Sequence, residues 1–420
     1  MPKTATEEIV IPKDLQTFLE DVAEGRCGFK LGEPWKYSEE TLAVVVPIVR
    51  MNAPERLYTT MYEVLKDLGI KDTGSVDRVQ LQNKSGKAVF VRAGSIFGGG
   101  QTTQSRAAEN STVLQPGKDG APKSVEVPVR CVHQSQGIRQ GSEMKYAGLA
   151  PMSVTMNLVG QCGQSAVWDS VRRYTSGDKD YHTNGRGGRG GFMPRTGRSE
   201  VYGARFESST HYAFEQPSER DVGHYLSSPR LNRLRKSEGV IGGGSHTSCN
   251  VGQSGGTGGG GHNFVGYVST DGPGLGGTGS DNLVGYMNKV EEGRKELDEM
   301  MQKVPLFKDQ VGAIIFNPVG VVAVETFDHP MSWEAVKKEV IEKHGDKLME
   351  KQAEHLFELK PDKIAPAFRK FIKGLKESQE HSVRKDDLSE TRIIVGKGLV
   401  GEYTLVKGRV VHSIIVREAS

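Results

Sequence analysis

The sequence Gly98-Gly99-Gly100 is followed by Gln101, Gln104 and Arg106. A glycine run lets backbone N–H groups approach an anion, and the two glutamine amides and the guanidinium add donors for phosphate or ribose oxygens. The same run also serves a tight turn with φ > 0 and no ligand at all. Further along, Cys131 and His133 stand two apart in an alternating segment and so share one face. That placement suits a thiol activated by imidazole, or half a metal site, while Cys131 fits a packing role equally well. Asp328-His329-Pro330 offers a carboxylate beside an imidazole, either an acid–base pair or a turn started by Asp328 ahead of proline. These three residues, Cys131, His133 and Asp328, are the catalytic candidates. No cysteine pair or His/Cys spacing spells a metal site.

A different chemistry is written between residues 176 and 280. Arg186, Arg189, Arg195 and Arg198 are interleaved with glycine and with Phe192, a pattern that pairs phosphates and stacks bases without a fixed fold. RNA or ribonucleoprotein binding, or self-assembly, is the alternative function this stretch offers, beside a solvated or protein-facing loop. Of the 53 glycines, 27 fall between Gly177 and Gly285, and the region has few Leu or Ile. It cannot bury enough apolar area to offset chain entropy, so mobility, or ordering against a partner, is expected. Gly252-Gln253-Ser254-Gly255-Gly256 and Gly272, Gly274, Gly277 match catalytic and dinucleotide patterns, but in so glycine-rich a stretch chance matches are expected.

The remaining segments position these residues. Leu15, Phe18, Leu19 and Val22 have helical spacing. Leu42 to Val49 is an apolar run broken by Pro47, read as an edge or terminated strand. A helix is expected over Glu55 to Leu68, stopped by Gly69. Val79 to Val91, turning at Asn83 to Gly86, reads as a β-hairpin, and Val125 to Cys131 as a further strand. Gln164 to Tyr174 reads as a helix with Val167, Trp168 and Val171 inward, and Asp281 as the cap of a long helix to Lys303. Val311 to Phe316 and Val321 to Phe327 form a second hairpin. Ser332 is placed as the cap of the next helix, and Lys343 to Glu380 reads as charged helix broken at Pro361. Arg392 to Val395, Glu402 to Val406, a Lys407-Gly408 turn and Val410 to Val416 give two or three closing strands. The fold class is therefore α+β, mainly antiparallel strands and hairpins packed with several helices and interrupted by a long glycine-rich insertion. The expected divisions are 1–39 as lead-in, 40–175 and 281–420 as the two parts of the α+β domain, and 176–280 as the insertion.

Composition narrows the function classes. With 420 residues the chain has ample material for a core, and 55 Lys+Arg against 52 Asp+Glu leave a net charge of +3. Near neutrality gives no global reason to expect nucleic acid. The four cysteines are far apart, consistent with reduced thiols in a cytoplasmic protein. No apolar run marks a signal peptide or a membrane span. A homo-oligomer is compatible with all of this.

Read in order, four segments resemble a known family. They are Ala93 to Gly100 with Gln104-Ser105-Arg106, Val127 to Gln134, Gln164 to Val171, and Val311 to Asp328 ending Glu325-Thr326-Phe327-Asp328. Together they are similar to the ADP-ribosylglycohydrolase and rhodanese-phosphatase associated domain, over residues 40–175 and 281–417. The chain departs from that pattern at Ser105, where the family tends to have Asn, and at His133, near which it tends to have an acidic residue. The resemblance implies a place in NAD and ADP-ribose metabolism, and NAD or ADP-ribose as the ligand of a binding or regulatory protein. It supplies no established reaction.

Overall fold

The computed structural model describes residues 14–39, 41–100, 102–117, 121–134, 136–176, 282–284, 299, 302–305, 307–344, 348, 357–396 and 398–417. Among them are seventeen strands, numbered here in chain order, which form three sheets. The largest has eight antiparallel strands in the order β1 (Phe29–Leu31), β2 (Val44–Arg50), β12 (Gln310–Asn317), β13 (Gly320–Phe327), β17 (Arg409–Arg417), β16 (Leu399–Val406), β15 (Ser389–Gly396) and β14 (Gln379–Lys385). Six more make a second sheet, β11 (Lys145–Leu149), β7 (Ser95–Gly98), β8 (Arg106–Ala108), β10 (Lys123–Cys131), β5 (Arg78–Asn83) and β4 (Leu68–Asp72). The third joins β3 (Thr59–Thr60), β6 (Val89–Val91) and β9 (Thr112–Leu114), with β3 and β6 parallel. The α+β class is thus as expected.

Both faces of the eight-stranded sheet are covered, which is why its strands read as continuous apolar runs. On one face Val46, Ile314, Val324 and Ile415 pack against α1 (Leu15–Glu24) and α5 (Pro361–Leu375), through Leu19, Val22, Phe368 and Phe371. Helix α1 starts where the Asp14 carboxylate accepts the Thr17 N–H at 2.8 Å, and it stops at Gly25 in the left-handed region. On the other face Ile315, Ala323, Phe327 and Ile414 meet Phe90 of the small sheet and Trp333, Val336 and Val340 of α4 (Pro330–Lys343). The six-stranded sheet buries Ile96, Ala107 and Val132 against α2 (Met152–Val159) and α3 (Gln164–Ser176).

Several local expectations are corrected. β2 is the second strand of its sheet, not an edge. The Pro47 carbonyl accepts from Gly32, so its missing N–H faces the short β1 side rather than the β12 ladder. The one helix within residues 55–68 is a 3-10 helix, Met61–Asp67, opened by a Thr60–Glu63 capping box; Thr59–Thr60 form β3, and Leu68 and Gly69 lie in β4. β5 and β6 do not pair as a hairpin. The Asn83 side chain bonds Lys87, Gln115 and the Ser85 N–H, turning the chain from one sheet into another. α4 is capped by His329, whose Nδ1 accepts the Met331 N–H at 3.2 Å, whereas Ser332 accepts from Arg56. The charged segment becomes strand β14 from Gln379, and Trp168 is only half-buried. The expected helix from Asp281 and the insertion at 177–280 lie outside the described residues, apart from a few positions near Asn282 and Lys303.

Candidate functional site: the Gly98 turn and its supports

β7 ends at Gly98, directly across from Lys145 of β11, and the chain then folds back on itself. Gly99 cannot be any other residue without movement, because a Cβ there would lie 2.1 Å from the Thr103 carbonyl. Its own carbonyl accepts from the Thr102 N–H at 3.1 Å and the Thr102 hydroxyl at 2.8 Å. Gly100 has φ 58°, is exposed, and has open space where a side chain would project. The far side of the turn is anchored on Asp72, at the end of β4. The Asp72 carboxylate accepts from the Thr103 hydroxyl, from Arg106 Nη2 at 2.7 Å, from the Gly74 N–H at 2.8 Å and from the Arg139 N–H at 3.2 Å. Burial opposes ionisation of Asp72, yet the bonds from Thr103, Gly74 and Arg106 hold it below the usual carboxylate range.

Arg106 therefore points inward, to Asp72. It is fully buried, and its Nη1 donates to the carbonyls of Ser75 at 2.8 Å and Arg78 at 3.0 Å. Its role is to hold the base of the turn. Two cations that the sequence reading passed over stand on the exposed side instead: Lys145, in register with Gly98, and Arg139, whose N–H is fixed by Thr103 Oγ1 at 3.0 Å. The signal for Arg139 was absent because nothing in spacing ties it to residue 103. Gln104 is nine-tenths buried beside Gly137, and Gln101 lies outside the described residues.

Cys131 is the register partner of Arg106, so this candidate neighbours the turn through the sheet. Its thiol is buried and donates to the backbone carbonyl of His133 at 3.0 Å. The Gln164 amide from α3 grips the Cys131 N–H and carbonyl at 3.0 and 2.8 Å. These bonds fasten α3 to the end of β10. His133 lies beyond the strand, in a bridge to Asn282.

Asp328 is elsewhere, at the end of β13 in the eight-stranded sheet. It accepts from the Tyr58 hydroxyl at 3.1 Å and pairs with Arg409 at 2.7 Å, while Arg50 donates to its carbonyl at 3.0 Å. Burial raises its carboxyl to about 6 against the pull of Arg409. His329 is occupied separately in capping α4, so the two are engaged in different tasks rather than as an acid–base pair. The Arg186, Arg189, Phe192, Arg195 and Arg198 candidates lie outside the described residues.

One charged cluster escaped the sequence reading. Arg92 holds Glu325 with two bonds of 2.5 Å, and His412 and Lys343 approach the same carboxylate at 3.3 and 3.6 Å. Burial works against the Glu325 charge, but Arg92, Lys343 and His412 keep its carboxyl well below the usual range. Glu402, two strands away, accepts from Ser111 and Asn110. The one available hint was Glu325 at an inward position between Ala323 and Phe327. All four members of the Glu325 cluster are buried, which makes it a fastening between sheets and α4.

Among the described residues no group of three His, Cys, Asp or Glu is placed to hold a metal, and no helix is long and apolar enough to cross a membrane. Residues 28–232 and 280–416 match the model of the ARG and Rhodanese-Phosphatase-superfamily-associated Protein domain. The chain belongs to this family. The match runs past residue 175 into the glycine-rich stretch, so the part between the two matched segments is 233–279. No curated protein and no solved structure matches the chain. The family's name associates it with ADP-ribosylglycohydrolase and rhodanese-phosphatase proteins, a link to ADP-ribose metabolism by association.

Proposed function

We propose that this chain is a cytoplasmic ligand-binding or regulatory protein that takes a nucleotide-type anion of the NAD or ADP-ribose class at the Gly98–Gly100 turn. The observation that supports the reading is the fixing of the backbone of exposed Arg139 to Thr103 and Asp72, the two residues that anchor an open glycine turn. Donors held in place before the ligand arrives lose little entropy on binding. Lys145 adds a second cation opposite Gly98. Arg106 serves from below, by neutralising Asp72 and keeping the turn's base rigid. The family's association with ADP-ribosylglycohydrolase supports this choice of ligand class.

Isothermal titration of the full chain with ADP-ribose and with NAD tests this. The expected result is saturable heat with at least one nucleotide, weakened about tenfold in Arg139→Ala through loss of a charge-assisted contact. Absence of heat with both, or affinity unchanged in Arg139→Ala and Lys145→Ala together, overturns the assignment.

A further inference from the structure

Two side-chain carbonyl oxygens beside the turn have no hydrogen-bond donor. Gln104 Oε1 belongs to a side chain nine-tenths buried, and Gln136 Oε1 is itself shut off from solvent. The segments that carry them run side by side, joined by the Gln104 N–H to the Gly137 carbonyl at 3.0 Å and by the Arg139 N–H to the Thr103 hydroxyl. A buried acceptor left unpaired costs a fold the desolvation of that oxygen with nothing in return. Two such acceptors lie on adjoining segments, next to a turn whose exposed groups are donors and cations.

We infer that Gln104 and Gln136 form a subsite for the hydroxyl groups of a ribose, an inference that rests on the anion-binding reading of the Gly98 turn. A phosphate group at neutral pH is an acceptor and leaves both glutamine oxygens unsatisfied. A ribosyl phosphate brings hydroxyl donors for these oxygens together with phosphate oxygens for Gly100, Arg139 and Lys145. The ligand class is thereby narrowed to sugar phosphates of the ADP-ribose type, and inorganic polyphosphates are disfavoured. A site that hydrogen-bonds a hydroxyl discriminates strongly against analogues that lack it.

The test is calorimetry on the full chain with ADP-ribose, ribose 5-phosphate and inorganic pyrophosphate, for the natural protein and for Gln104→Leu and Gln136→Leu. Each leucine is expected to weaken the two ribosyl ligands about tenfold and to leave pyrophosphate unchanged. Because no bond is lost in the free protein, both variants should melt at or above the natural temperature. Ribosyl ligands bound no more tightly than pyrophosphate, or leucine variants that bind them unchanged, overturn the subsite and leave the turn reading standing. A fall in melting temperature for both variants shows that the oxygens had partners, and also overturns it. Failure of all three ligands to bind removes the turn reading, and the subsite with it.

Discussion

Arg106 and Asp72 meet at 2.7 Å with neither side chain reaching solvent. This pair sits under the glycine turn, and its charges are balanced by each other, by the Thr103 hydroxyl and by neighbouring backbone groups. Removing one partner leaves a buried charge uncompensated, so Arg106→Met is expected to cost about 3–5 kcal/mol. Arg139→Ala, on the exposed side of the same turn, is expected to change stability by less than about 0.5 kcal/mol. Urea denaturation of the two variants checks the contrast; similar losses would place Arg139 in the structural frame.

The two glycines of the turn should respond differently. Gly99→Ala drives a methyl into the Thr103 carbonyl, a backbone atom with little freedom to give. A loss of more than about 2 kcal/mol is expected, in the range of overpacking. Gly100→Ala meets no neighbour within 4 Å and pays only for its φ of 58°, about 1 kcal/mol. Thermal melts should rank the variants in that order, and the reverse order would contradict the geometry.

The Arg92–Glu325 pair invites a double-mutant cycle. Arg92→Met alone exposes the buried Glu325 to two weaker partners, Lys343 and His412, and should cost about 3–5 kcal/mol. Adding Glu325→Leu should restore a large part of that loss, because an apolar pair of similar volume no longer carries the desolvation of an ion. Additive losses would mean that the two charges act independently.

Stability should also climb with alkaline pH. Burial, and then Arg92, pull the Lys343 amine from 10.5 down to about 7. Between those values the unfolded chain binds the extra proton, so unfolding becomes harder as pH rises through the window. His412, lowered by burial from 6.5 to about 4, acts in the same sense over that lower range. Asp328 opposes it there: its carboxyl is raised from 3.8 to about 6, so the folded form binds the extra proton and stability falls as pH rises between those values. Above pH 7 only the lysine effect of these three remains. Denaturation at pH 7 and pH 9 should show a gain in the natural protein and a smaller one in Lys343→Met; equal slopes would reject the assignment.

How much of this was legible in the chain depends on the range of the interaction. The hairpin of β12 and β13 and the Lys407-Gly408 turn, both residues at positive φ, were readable because turn chemistry and alternation are local. The cap at Asp14 was not singled out, though it belongs to the same class of signal. Residues 55–68 misled because Leu57, Met61, Leu65 and Leu68 keep helical spacing, yet Leu65 is exposed and Leu68 pairs with Asn83 in a sheet. Tertiary pairing overrode local preference there.

The candidate site was half legible. A glycine turn can be seen in a sequence, but whether Arg106 points outward or inward depends on Asp72, 34 positions earlier. Arg92 and Glu325 are separated by 233 positions, and no periodicity links them. Arg139 became relevant only through a threonine hydroxyl that folding brings to its amide.

Strand β2 lies in the first half of the chain and β12 in the last third, yet Val46 and Ile314 are direct register partners. This ladder of the largest sheet therefore waits on the ribosome until nearly three quarters of the polypeptide has been made. For the same reason, severing the backbone between the two matched segments would yield fragments that each keep an uncovered half of one interior, and whose simplest remedy is to find each other.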